Sequence, residues 1–130
     1  MGESERSRVG TVGWFDLTVP DADVVRDFYQ AVVGWGATGV DMGGYSDYMM
    51  NTPDGQGVAG VCWKRGSNAD LPSQWLMYIT VADLDASMQA CERGGGAVLT
   101  GPRGLGSYGR VCVIRDPAGA VCALIQPPNG

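Results

Sequence analysis

The sequence predicts an α+β fold of two tandem βαβββ modules, their strands in one mixed sheet with the helices on its outer face. Three observations predict it. First, the chain repeats itself. Residues 14–23 (WFDLTVPDAD) overlie 76–85 (LMYITVADLD) at a constant offset of 62 (80 − 18), bringing Thr18, Val19, Asp21 and Asp23 onto Thr80, Val81, Asp83 and Asp85. Gly34 falls on Gly96 at the same offset. Second, each copy passes from a stretch rich in β-formers to an aspartate followed by apolar residues at helical spacing. Third, Pro53-Asp54-Gly55 and Pro117-Ala118-Gly119 punctuate the two copies at matching places, as turns between paired strands do.

The elements follow in order. Residues 1–10 (MGESERSRVG) are charged and lack an apolar core, so they read as a disordered tail rather than a secretory leader. The domain then occupies 11–130: module one about 11–64, a polar linker at 65–72 (RGSNADLP), and module two about 73–127. Residues 12–19 and 74–81 read as the first strand of each module. Asp21 and Asp83 suit N-caps, where a carboxylate accepts from helical N–H groups that have no partner. Ala22, Val25, Phe28 and Val32 continue at helical spacing, as do Leu84, Met88 and Cys91. Gly34 and Gly94 suit the left-handed residue that ends a helix. Period two puts Phe15, Leu17 and Val19 on one strand face, and Met77, Ile79 and Val81 on its counterpart. These apolar sets are expected under the helices. The opposite faces hold Trp14, Asp16 and Thr18, and Leu76, Tyr78 and Thr80, a mixture that suits a concave, ligand-facing sheet.

Composition narrows the function. With 130 residues, 45% of them hydrophobic, the chain can bury one real core. No apolar run approaches the ~20 residues of a membrane helix. The net charge is −5 and no basic cluster occurs, so neither a nucleic acid nor a membrane is an expected partner. The four cysteines, Cys62, Cys91, Cys112 and Cys122, lack C-x-x-C spacing and read as reduced, mostly buried thiols of a cytoplasmic protein. Cys112 and Cys122 flank Pro117 at five residues on either side and are expected to lie opposite across the last hairpin. Histidine is absent, which removes the commonest metal ligand and general base.

Several phrases carry a resemblance. Phe28-Tyr29 in the first helix, Val33-Gly34-Trp35 after it, and Asp116-Pro117-Ala118-Gly119 before the last strand stand in a repeated βαβββ frame. In this the chain resembles the vicinal oxygen chelate superfamily, which includes glyoxalases, bleomycin-resistance proteins and extradiol dioxygenases, over about residues 11–127. The resemblance implies a cupped sheet. In metal-using members it also implies ligands from the first and last strands of each module. Here the corresponding first-strand positions are Trp14 and Leu76, and Ala123 replaces the usual glutamate of the final strand. The matching strand of module one (56–64) has no acidic residue. Trp, Leu and Ala offer no lone pair to a divalent ion, so neither metal nor cofactor is expected.

The candidate ligand-binding residues are Trp14, Asp16, Tyr48, Met50, Tyr78 and Arg110. Asp16 could anchor a cation or act as a base, and Tyr78 could donate to a ligand oxygen. Either could equally be a solvated or packed strand residue. Tyr45, Tyr48 and Met50 are assigned to the third strand, whose facing period two alone leaves open. Residues 104–109 match G-x-G-x-x-G but lead into a strand, whereas a dinucleotide fingerprint opens a helix. They read as a loop, with Arg110 at its end able to pair with an anion or to remain solvated. The leading reading is a metal-independent small-molecule-binding protein of the glyoxalase/bleomycin-resistance type, working as a homodimer. The alternatives are a lyase, isomerase or dioxygenase-like enzyme of the same superfamily, with or without a non-standard metal site, and an interaction module whose sheet serves dimerisation.

Overall fold

A computed structural model describes residues 8–128. The expected tail falls largely on residues 1–7, outside the described residues. Residues 8–10 form a turn in which the Gly10 amide donates to the Thr80 carbonyl at 2.8 Å. The fold is α+β, with eight strands in mixed pairing and two helices, in the order expected. Module one runs β1 (Val12–Val19), α1 (Ala22–Val33), β2 (Gly36–Asp41), β3 (Ser46–Asn51) and β4 (Gly57–Trp63). Module two runs β5 (Trp75–Thr80), α2 (Leu84–Arg93), β6 (Ala97–Gly104), β7 (Arg110–Arg115) and β8 (Val121–Gln126). The strand order is β2-β3-β4-β1 in the first and β5-β8-β7-β6 in the second. In both, the first strand lies parallel to the last, and the other neighbours are antiparallel. By its contacts the chain divides into two compact units. One is Phe15–Trp75; the other joins the chain up to Trp14 to the chain from Leu76.

Local chemistry explains the helices. Asp21 and Asp83 sit in extended backbone and accept from the Val24 and Ala86 amides at 3.1 Å, capping α1 and α2. Gly34 takes the left-handed conformation that closes α1, φ 84°. In the second copy that role moves one residue on. Gly94 has φ −86°, and Gly95, with φ 94°, turns the chain instead.

Each helix covers one face of its own module. Under α1, Leu17, Val19, Ala22, Met50 and Val61 form the buried cluster. The Phe28-Tyr29 and Gly34-Trp35 phrases supply its aromatic rim. Tyr29 lies 5.8 Å from Trp35 and 5.4 Å from Trp75, ring to ring, and Trp75 Nε1–H donates to Tyr29 Oη at 3.1 Å. The motif is thus a packing device, an indole fixed by a phenol. Under α2 the buried cluster is Leu84, Cys112 and Leu124, with Ile79, Val81, Met88 and Ile114 against it.

Helical cover is shorter than period two alone suggested. Phe15 and Met77 were expected under the helices, yet they are 43% and 39% exposed. Each helix packs on the later part of its strand, from Leu17 and Ile79 onward, and leaves the earlier position uncovered. The polar linker holds a 3-10 turn, Gly66–Asn68, and tucks Leu71 into the interior.

Candidate functional site

Residues facing each other across a ladder project to the same side of the sheet. In module one, Leu17 pairs with Val61 and Val61 with Tyr48; Met50 pairs with Ala59 and with Ala37. All of these stand on the α1 side. The opposite side carries the row Asp16, Gly60, Met49 and Thr38, from β1 through β4 and β3 to β2. Thr18, Cys62, Asp47 and Val40 occupy the adjacent positions. Asp16 therefore stands on the face away from α1, as expected. Tyr48 and Met50 do not.

Met50 is fully buried under α1, and Tyr48 packs against the same cluster while its hydroxyl donates to Asp23 on α1. The residues of β3 that share the face of Asp16 are Asp47 and Met49, each one place earlier. Asp47 Oδ1 accepts the Trp63 amide at 3.0 Å, which pins β3 to the end of β4. Tyr45 belongs to the turn before β3, where the Arg65 guanidinium lies 3.9 Å from its ring centroid.

Module two repeats the geometry with different chemistry. Tyr78 pairs with Ala123, Ala123 with Val113 and Val113 with Thr100, on the face away from α2. Arg110 pairs with Gln126 on the α2 side, where it meets Asp85 at 3.2 and 3.5 Å. It stands 62 residues after Tyr48, and Asp85 stands 62 after Asp23. The two pairs are one structural device, a third-strand side chain tied to the first turn of the helix. Arg110 is thus committed to α2 rather than to the face of Tyr78.

Arg115, paired with Val121, stands exposed at one end of that face, and the half-buried cation on it is Arg103. Had the register from Thr100↔Val113 continued, Arg103 would face Arg110; the bulge between Thr100 and Arg103 sets it opposite Val111 instead. Gly101 makes the bulge possible. It has φ 92°, and a Cβ there would lie 2.7 Å from the Val111 carbonyl oxygen. The Gly101-Pro102 dipeptide inside a strand is the sequence signal that would have found it.

The two faces differ in openness. Leu76, Thr80, Val111, Val113 and Ala123 in module two are all buried. In module one Asp16, Asp47, Met49, Asn51 and Cys62 are half-buried, with Thr38 and Val40 exposed. Trp14, two residues before Asp16, is also half-buried. Asp16, Tyr78 and Arg103 each have interaction partners within the protein.

The metal positions can now be completed. Gly60 stands opposite Asp16 as Ala123 stands opposite Tyr78, so Gly60 is the module-one counterpart of the final-strand ligand position. The set is then Trp14, Gly60, Leu76 and Ala123, with an indole, a hydrogen, an isobutyl group and a methyl group. None of these donates a lone pair to a hard or borderline cation. Among the described residues, no group of three or more Cys, Asp or Glu is placed to hold an ion. The residues present do not fit a divalent metal at the family's position.

The cysteines are free thiols. Cys112 pairs with Leu124 and Ile114 with Cys122, so the two thiols are diagonal on the α2 side rather than opposite. The turn is centred on Ala118 rather than on Pro117. Burial pushes the Cys112 thiol up to about 11 and raises Cys122 as well, with the neighbouring Cys91 contributing to both. Residues 104–109 close a 3-10 turn and enter β7, as read.

Comparison with known proteins agrees with the fold. CFP32 of Mycobacterium tuberculosis, whose name assigns it provisionally to the glyoxylases, is 34% identical over 128 residues, covering 97% of this chain and 49% of the relative. The anthracycline biosynthesis protein DnrV of Streptomyces peucetius is 35% identical over 127 residues, covering 88% of this chain and 46% of the relative. The chain thus spans about half the length of the curated relatives it matches. Among solved structures, methylmalonyl-CoA epimerase from Mycobacterium tuberculosis superposes with a TM-score of 0.56 at 19% identity, over 95% of each chain. A variant of the Streptomyces coelicolor epimerase bound to 2-nitronate-propionyl-CoA gives 0.58 at 19%, over 92% of this chain and 99% of the other. At such identity the likeness speaks for the fold alone. No helix among the described residues is long and apolar enough to cross a membrane. With the Glyoxalase/Bleomycin resistance protein/Dioxygenase superfamily model matching residues 11–124, the chain belongs to that superfamily.

Proposed function

We propose that the protein binds a small organic molecule without a divalent metal, as a homodimer in a reducing, cytoplasmic setting. The observation that carries this reading is the unequal pair of faces. On module two's face Leu76, Val111, Val113 and Ala123 are buried and Tyr78, Thr100, Arg103 and Ile125 half-buried, whereas module one, with Thr18 buried, keeps a more polar, half-open face around Asp16. A buried apolar face contributes stability; a half-open polar one contributes little to it and suits a ligand. Trp14, Tyr78 and Arg103 are the candidates within the other unit, Arg103 replacing Arg110 as the basic member. Metal independence is supported by the donor-free set Trp14, Gly60, Leu76 and Ala123, and the reducing setting by four free thiols. The relatives' names, a glyoxylase and an anthracycline biosynthesis protein, are compatible with a small organic ligand and do not choose one.

A library of small organic compounds screened by thermal shift tests this reading, since a ligand that binds only the folded chain raises its melting temperature. At least one compound is expected to stabilise the protein, with affinity falling by about fivefold or more in Asp16→Ala, the scale of one lost polar contact. Elemental analysis of the same preparation is expected to find well under one divalent ion per chain. One equivalent of zinc, nickel, iron or manganese per chain would overturn the metal-free reading. A library without a single stabilising compound would overturn the binding reading.

A further inference from the structure

The open face of module one holds a small recess with a glycine floor. Thr38, Met49, Gly60 and Asp16 form one row, and Gly36, Asn51 and Gly57 form the next. None of the three glycines has the positive φ that would require glycine for its backbone. Glycine leaves bare backbone at each of these places, and at Gly57 a neighbour approaches it closely.

Two neighbours use that room. A Cβ at Gly57 would lie 2.7 Å from Met49 Sδ, so the thioether rests where a side chain would otherwise stand. A Cβ at Gly36 would meet nothing nearer than Asn51 Cβ at 4.0 Å. Asn51 is the polar group of the recess. Its Nδ2 donates to Thr38 Oγ1 at 2.8 Å, while its Oδ1 is buried with no hydrogen-bond partner among the described residues. A buried acceptor left unsatisfied is costly, and native proteins seldom keep one without a use.

We propose that this recess takes the hydroxyl- or amino-bearing edge of a flat, conjugated ring, whose O–H or N–H donates to Asn51 Oδ1. The proposal rests on the ligand-binding reading above and names the ligand class. A carboxamide oxygen only accepts, so the ligand must donate. A floor without side chains admits a plane against the backbone. Met49 stands two residues before Asn51 on the same face of β3. Its thioether makes favourable contacts with aromatic rings, and its three rotatable bonds let it adapt to one.

Two probes separate the hydrogen bond from the ring: 2-naphthol and 2-methoxynaphthalene, titrated calorimetrically into the full chain. The phenol is expected to bind at least about fivefold more tightly than its methyl ether, the value of one net hydrogen bond. Asn51→Ala should erase that difference. Gly36→Ala should weaken both probes by filling the recess, with the melting temperature little changed because its Cβ meets nothing nearer than 4.0 Å. Equal affinities for the two probes in the natural chain, or a preference that survives Asn51→Ala, would overturn the proposal. So would failure of both probes to bind. If both fail while a library compound still binds in an Asp16-dependent way, the recess proposal falls alone. If the library also yields nothing, the parent reading falls with it.

Discussion

Asp23 and Asp85 hold the same place in the two modules, and each ties down a side chain from the third strand, Tyr48 in one copy and Arg110 in the other. The Arg110–Asp85 pair is well exposed at both ends, so Arg110→Ala should cost little stability, about 1 kcal/mol at most, and leave ligand affinity untouched. A large loss of affinity in that variant would return Arg110 to the binding face. Cys112 gives a sharper residue-scale expectation. Its thiol, ordinarily ionising near 9, holds its proton to about 11 because burial disfavours the thiolate. Below about pH 9 both folded and unfolded chains keep that proton, and its contribution to stability is fully present. From there to about 11 only the folded chain keeps it, so the contribution drains away as pH rises. Mass-spectrometric mapping after iodoacetamide treatment at pH 8 should find Cys112 unmodified until denaturant is added. Labelling at the rate of the unfolded chain would contradict the burial.

Strand β1 separates what a sequence discloses from what it withholds. Leu17 and Phe15 share a parity, yet one is 6% exposed and the other 43%. Leu17→Ala should therefore cost about 2–5 kcal/mol by leaving a cavity under α1, and Phe15→Ala about 1 kcal/mol or less. Chemical denaturation of both variants checks this, and equal losses would mean that the helix covers the whole strand. The caps at Asp21 and Asp83, the turn at Gly34 and both final hairpins were legible because their causes lie within four or five residues. The side of Tyr48 and Met50 was not, because it depends on the pairing of β3 with β2 and β4, through partners such as Gly39, Ala59 and Val61 beyond the reach of a local pattern. Arg103 was hidden for the same kind of reason. A bulge shifts the register, and only Gly101-Pro102 hints at where. The recess lay within reach: Gly36 and Gly57, each opening a strand, and Gly60 within β4 were a readable sign of a stretch without side chains that hydrophobic periodicity passes over.

For the molecule as a whole, the chain spans 46–49% of the length of the curated relatives it matches. The expected homodimer should scatter light as about twice 13.7 kDa in the micromolar range, and a mass that stays at one chain up to millimolar concentration would refute it. The two faces also determine where change can be accepted. Val111, Val113 and Ala123 lie in close-packed surroundings, where only volume-conserving replacements should survive selection. Thr38, Met49 and Asn51 stand where polarity and size can vary at small cost to folding. A duplicated module whose two copies differ in this way gives a natural starting point for directed evolution. A combinatorial library confined to those three positions should return mostly folded proteins whose preferred ligands differ, whereas the same diversity spent on β7 and β8 should return mostly unfolded ones.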